Sequence, residues 1–179
     1  LTESLTESLP ARDTRHTAWF RFARGWAELI ALWNEQTDPV VTDGYPAFLA
    51  LQTQVDARFT AWLTRRYASL INLPPVPPVM LHHLPRFLSR KITEDRAAKI
   101  ALLVVDGLSM DQWLVIREAL VSRNAAYRFR EQSIFAWVPT ITSVSRQAAF
   151  AGRPPLYFPD SIHVTSKEPA LWRQFWADQ

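Results

Sequence analysis

A proline-rich segment limits what the chain can fold into, because it interrupts any continuous helix. Residues 73–80 read LPPVPPVM, with four prolines among eight residues. Proline lacks a backbone donor and fixes φ, so this stretch is typical of an extended connector. We expect four segments: a flexible tail at 1–12, a helical region at 13–72, the connector at 73–83, and a differently organised part at 84–179.

The composition favours a folded protein without a membrane span. The 179 residues are 48% hydrophobic and include no cysteine. The longest apolar run, residues 100–105, is far shorter than the roughly 18 residues of a membrane-spanning helix. Without cysteine there is no disulfide framework and no thiolate metal site, so the expected location is a reducing cytoplasm.

The part of the chain before the connector has the spacing of two amphipathic helices. Apolar side chains recur at helical intervals from Trp19 to Trp33, after Asp13 as a candidate N-cap, and again from Phe48 to Leu70. Pro46 suits the first turn of the second helix. The aromatic stripes would also fit a ligand cavity, but core packing is their commoner use, and we expect a scaffold.

The part after the connector alternates between strand-like and helix-like patterns. In IALLVVDGLSMDQW, residues 100–113, an apolar run ends at Asp106-Gly107 and a helix is expected from Asp111. Aromatic and β-branched residues at 127–138 predict one or two further strands, and 162–165 a short one. Helices are expected at 143–151 and around Leu171. The alternation predicts an α/β fold with a parallel sheet, in which 102–105 is a central strand.

Two strand-to-helix junctions carry residues suited to chemistry. Asp106 would lie at the carboxyl end of a strand, where a carboxylate can bind a divalent metal, although Asp-Gly also commonly starts a turn. Thr142 precedes a helix whose free amides favour an oxyanion, which suits a nucleophile attacking phosphorus. Ordinary helix capping by Thr140, Thr142 or Ser143 explains the hydroxyls equally well.

Several other reaction classes and sites fit the sequence poorly. The chain has no Gly-x-Ser-x-Gly elbow and no phosphate-binding Gly-x-x-x-x-Gly-Lys loop. Leu108 stands where a haloacid-dehalogenase-type phosphatase would need a second aspartate. Adjacent His82 and His83 would diverge on a regular element, which disfavours a shared metal and leaves capping or surface exposure. Basic residues cluster between 86 and 99 and suit either a phosphate-bearing partner or a solvated face.

Two motifs together resemble a known family. LLVVDGLSMDQW and VPTITSVSRQAAFAG resemble the PglZ domain, a branch of the alkaline phosphatase superfamily that occurs in bacteriophage exclusion (BREX) systems. The resemblance implies a helical N-terminal region followed by the first half of an alkaline-phosphatase-like sheet with helices on both faces. It also implies a zinc-type divalent metal bound by Asp106 and Thr142, with Thr142 as the covalent nucleophile. Arg146, one helical turn later, would contact the substrate phosphate.

The remaining metal ligands of that superfamily are not recognisable in the sequence. Asp160 and His163 are the nearest substitute, but after Pro159 they fit a turn better. We therefore expect an N-terminal part of a longer protein that holds half of an active site and has no appreciable phosphatase activity alone.

Two functions remain open at this point. The first is the front part of a phosphatase or phosphodiesterase acting on a phosphate ester or nucleotide. The second is a non-catalytic assembly module that binds other defence proteins or nucleic acid. Homo-oligomerisation is compatible with both, and no membrane partner is expected.

Overall fold

The computed structural model describes residues 1–35, 44–97 and 99–179. These residues form seven α-helices: α1 (Thr2–Ser8), α2 (His16–Glu35), α3 (Tyr45–Leu70), α4 (Leu84–Glu94), α5 (Met110–Arg123), α6 (Thr142–Ala151) and α7 (Glu168–Ala177). Short 3₁₀ segments lie at Leu81–His83, Pro155–Tyr157 and Pro159–Ser161. The chain forms two compact units: unit 1 comprises Leu1–Ala68 and Gly107–Ser133, and unit 2 comprises Ser69–Asp106 and Ile134–Gln179.

The predicted α/β architecture is wrong. Across the described ranges there is no sheet, and the β-structure consists of one parallel bridge between Met80 and Phe135. Residues 102–105 form neither helix nor strand, and Leu103 and Val105 are 80% and 63% exposed. A parallel strand is stabilised only by neighbouring strands. An apolar run therefore indicates a strand only where such neighbours are present, and the described residues contain none.

The other predicted strands are also absent. Within 127–138 only Phe135 makes a β-bridge, and residues 162–165 form turns and irregular structure. The helix predictions are confirmed, because α2, α3, α5, α6 and α7 cover the segments with helical spacing. No described helix is long and apolar enough to cross a membrane.

Unit 1 is built around aromatic side chains of α2 and α3. Trp62 is fully buried, and its Nε1 donates to the Thr14 carbonyl oxygen at 2.8 Å. The Trp19 ring lies 4.8 Å from the Phe59 ring, measured between centroids. Leu5 of α1 is also buried. The aromatic stripes thus form a core, as the sequence predicts.

Unit 2 is built around α6 and α7. Ala148 and Gln147 of α6 are fully buried, together with Met80 of the connector. Helix α6 ends at Gly152, which adopts the left-handed conformation with φ of 63°. The Met80–Phe135 bridge is made by the Leu81 amide, which donates to the Phe135 carbonyl at 3.1 Å, and by the Phe135 amide, which donates to the Val79 carbonyl at 2.8 Å.

Candidate active site

Thr142 is the first residue of α6, and its side chain is exposed. The preceding residue, Ile141, is extended and provides no side-chain cap. The first amides of an α-helix have no acceptor inside the helix. The Thr142 hydroxyl therefore lies beside N–H groups that can bind an oxyanion.

Ser143, the neighbouring hydroxyl, has a structural role. It is buried, and its Oγ donates to the Ile162 carbonyl oxygen at 2.6 Å. This bond joins α6 to the loop that precedes α7. Of these two adjacent hydroxyls, Thr142 is the exposed one.

Arg146 lies one turn after Thr142 and binds two carboxylates within unit 2. Its Nη2 donates to Glu168 Oε2 at 2.7 Å, and its Nη1 lies 3.8 Å from Asp106 Oδ2. The hydrogen bond to Glu168, followed by the charges of Glu168 and Asp106, raises the pKa of Arg146. Residues four apart on a helix share a face. Arg146 thus lies on the Thr142 face of α6, with its charge offset by Glu168 and Asp106.

Asp106 follows the irregular run 99–105 rather than a strand. Its side chain is about half exposed, at 47%. Gly107, the next residue, has φ of 71°, which is accessible to glycine and explains its place in this turn. The structure thus brings Asp106 to Arg146, while the convergence of Asp106 with Thr142 stays a prediction.

Glu168 is the contact residue that sequence reasoning missed. Its side chain is only 8% exposed, and it lies in the first turn of α7. In the sequence, Glu168-Pro169 has the features of an ordinary helix start, where acidic residues are common. The ion pair with Arg146 spans 22 positions, so no local spacing could have indicated it.

Gln147 was also missed, and it supports the same region. Its Nε2 donates to the carbonyl oxygens of Ser161 at 2.6 Å and Val164 at 2.7 Å. Ser161 Oγ in turn donates to Gln147 Oε1 at 2.7 Å. A glutamine beside an alanine run on a buried helix face was the available signal. These bonds attach the loop containing His163 to α6.

The two connector histidines are buried rather than exposed. Their ring centroids are 4.2 Å apart. His83 Nδ1 accepts hydrogen bonds from the amides of Val79 at 3.2 Å and Met80 at 3.3 Å. Burial, and next the charge of His83, lower the pKa of His82 to about 4. Of the two roles expected from the sequence, surface exposure is therefore wrong, and backbone capping describes His83.

The described residues do not fit the zinc centre that the resemblance implies. Among them, no group of three or more His, Cys, Asp or Glu side chains is placed to hold a metal. Asp106 and Thr142 would offer two oxygen donors, whereas zinc takes three or four protein ligands. The Asp106 carboxylate also lies beside the Arg146 cation. No chemical step is therefore assigned to a metal.

The basic cluster between residues 86 and 99 is partly neutralised. Arg90 Nε and Lys91 Nζ contact the Glu94 carboxylate at 2.7 and 2.8 Å. Arg86 donates to the Gly152 carbonyl oxygen. These contacts favour a solvated helix face over a site for a phosphate-bearing partner.

Comparison with protein families identifies one match. Residues 85–178, more than half of the chain, match the model of the BREX system PglZ alkaline phosphatase-like domain. No curated protein and no solved structure matches the chain. The matched range contains Asp106, Thr142, Arg146 and Glu168, and it covers nearly all of α4 to α7. The chain therefore belongs to the PglZ family of alkaline phosphatase-like domains from BREX systems.

Proposed function

We propose that the chain provides the nucleophile and a phosphate-binding group for hydrolysis of a phosphate ester in BREX phage defence. The observation that supports this best is the exposed Thr142 hydroxyl at the N-terminus of α6, one turn before Arg146. Both residues lie in the range matched by an alkaline phosphatase-like family. Helix amides and a guanidinium are suitable groups for binding phosphate oxygens.

The reaction has two steps. Thr142 Oγ attacks phosphorus, the bond from phosphorus to the leaving oxygen breaks, and the hydroxyl proton passes through solvent to that oxygen, which departs as an alcohol. Water then attacks the phosphothreonine, breaks the bond between Oγ and phosphorus, and regenerates the hydroxyl. Arg146 and the first amides of α6 would bind the non-bridging oxygens in both steps, and Asp106 would hold Arg146 from the other side.

The resemblance also implies that a divalent metal, with Asp106 among its ligands, activates the nucleophile. The described residues do not supply enough donors for such a site. We therefore propose that sustained turnover needs groups beyond those described, and that the chain alone is a poor catalyst.

The test is hydrolysis of bis(4-nitrophenyl) phosphate with added Zn²⁺ or Mn²⁺. It compares the 179-residue chain with the full product of its gene, each as wild type, Thr142→Ala and Thr140→Ala. Thr140 is also exposed and lies outside α6, so it is a matched control. We expect turnover by the full product that is lost in Thr142→Ala and kept in Thr140→Ala. Equal activity of the two variants would refute the nucleophile assignment.

A second function, assembly with other BREX proteins, would leave Arg146 with a structural role only. Arg146 binds the nearly buried Glu168 carboxylate at 2.7 Å, an arrangement that also suits a purely structural ion pair. Under this assembly hypothesis, the phosphatase-like part performs no chemistry. Co-purification with the other proteins of the system, unchanged in Thr142→Ala, together with no hydrolysis by the full product, would establish it.

A further inference from the structure

Unit 1 contains a cavity that the proposed hydrolysis does not use. Its volume is about 460 Å³, within the range of about 300–1,000 Å³ that is usual for small-ligand sites. It lies beside α2, α5 and the segment 130–133. The residues of its wall that matter here are Phe20, Arg21, Arg24, Trp113, Arg130 and Glu131.

Glu131 organises one side of this cavity. Its Oε2 accepts hydrogen bonds from Arg24 Nη1 at 2.9 Å and Arg117 Nη1 at 2.8 Å, and its Oε1 accepts one from Trp113 Nε1 at 2.8 Å. Burial acts to raise the pKa of Glu131, but the Trp113 hydrogen bond and the two arginines lower it overall. Glu131 is therefore ionised at neutral pH and fixes the positions of Arg24, Arg117 and Trp113.

Two arginines of the cavity wall are not neutralised in this way. Arg24 forms ion pairs with Glu131 and with Glu28, the second at 3.2 Å between Arg24 Nε and Glu28 Oε1. By contrast, neither Arg21 nor Arg130 forms an ion pair with any carboxylate in the described parts of the chain. The cavity wall thus includes two arginines that no described carboxylate neutralises, and arginine is a residue type that can bind an anion bidentately.

The same wall presents aromatic surface. Trp113 and Phe20 both line the cavity. The hydrogen bond from Trp113 to Glu131 and its edge-to-face contact with Phe129, at 5.6 Å between centroids, fix the indole ring. Fixed aromatic rings next to arginines are the groups on which bases of nucleotides stack while their phosphates are bound.

We propose that this cavity binds a nucleoside phosphate, with the phosphate on Arg21 and Arg130 and the base against Trp113 and Phe20. The ligand is either a free mononucleotide or one nucleotide unit of a single strand, since the two share this chemistry. The site lies within unit 1, whereas Thr142 and Arg146 lie in unit 2. The proposal therefore holds or fails independently of the hydrolysis.

The test measures binding to the whole chain. Isothermal titration compares AMP with adenosine and with ribose 5-phosphate, and fluorescence anisotropy follows a labelled single-stranded oligodeoxythymidine. We expect AMP to bind at least about tenfold more tightly than either of its parts, because stacking and phosphate contacts both contribute. Binding of the oligonucleotide without AMP would assign the site to a nucleic-acid strand, and binding of AMP alone to a free nucleotide.

The variant is Arg21→Glu with Arg130→Glu, and the matched control is Arg12→Glu with Arg123→Glu. The control arginines are exposed residues of the same unit outside the cavity wall, and the change in net charge is the same. We expect at least about tenfold weaker binding in the cavity variant and an unchanged affinity in the control. If the glutamates prevent folding, judged by circular dichroism, glutamine at both positions replaces them.

Three results would overturn the proposal. They are no binding of either nucleotide probe at about 1 mM, measurable binding of AMP that is no tighter than that of ribose 5-phosphate, and equal loss of binding in the cavity variant and the control.

Discussion

Gln147 is the polar residue of unit 2 whose replacement we expect to lower the stability most. It is fully buried, and its amide bonds the carbonyls of Ser161 and Val164. Gln147→Met keeps the length of the side chain but removes its hydrogen bonds to the Ser161 and Val164 carbonyls and to Ser161 Oγ, so that the Val164 carbonyl loses its amide donor. We expect the free energy of unfolding to fall by about 1–3 kcal/mol, measured by urea denaturation.

Gln174→Met is the control for this substitution, since Gln174 is an exposed residue of α7. Surface substitutions usually change stability by less than about 0.5 kcal/mol. Equal effects at the two positions would contradict the supporting role of Gln147.

His82 makes stability depend on pH. Its folded pKa of about 4 lies below its ordinary value of 6.5, first because it is buried and next because of His83 and Arg86. The unfolded chain therefore binds more protons between about pH 4 and 6.5, so stability is present above 6.5 and is lost as the pH falls towards 4.

The measurement is the urea midpoint at pH 7.5 and 5 for wild type, His82→Phe and His82→Gln. Neither replacement titrates in this range, so both should reduce the difference between the two midpoints. An unchanged difference in both variants would show that His82 is not its source.

At the scale of elements, Gly152 terminates α6 and allows α7 to pack closely. It has φ of 63°, and a Cβ placed there would lie 2.8 Å from the buried Phe175 ring. Gly152→Ala should therefore cost the roughly 1–2 kcal/mol of a left-handed backbone and a steric clash in addition.

Gly107→Ala separates the cost of the left-handed backbone from the cost of the steric clash. Gly107 has φ of 71°, but an added Cβ would have no atom within 4 Å. Its cost should be that of the backbone alone. Urea denaturation that finds Gly152→Ala no more destabilising than Gly107→Ala would exclude the clash.

The helices and the missing strand also show which structural features the sequence could predict. Helices α2 and α6 were predictable because their hydrogen bonds and their apolar faces recur within a few residues. The run 102–105 was not, because a strand depends on neighbours that its own residues do not specify. The roles predicted for Asp106 and Arg146 stay predictions, and Glu168 could be found only after α7 was placed beside α6.

At the scale of the whole molecule, the exposed apolar run 100–105 is a surface suited to self-association. Leu103 is 80% exposed and Val105 63%, and no strand pairs with the run among the described residues. Unpaired backbone next to apolar side chains is a template for pairing with another chain. We expect the purified chain to form oligomers as its concentration rises, and Leu103→Lys with Val105→Lys to keep it monomeric, measured by sedimentation velocity.

The control for that prediction places the same charges on other exposed apolar residues of the same unit. Leu156 is 70% exposed and Val164 44%, and both lie outside the run. If general hydrophobicity or net charge drives association, Leu156→Lys with Val164→Lys should suppress it equally. If backbone pairing at 100–105 drives it, the control should still associate, because lysines at 103 and 105 oppose each other across a paired run whereas lysines elsewhere do not. A monomeric wild type over the full concentration range would show that the exposed run does not promote pairing.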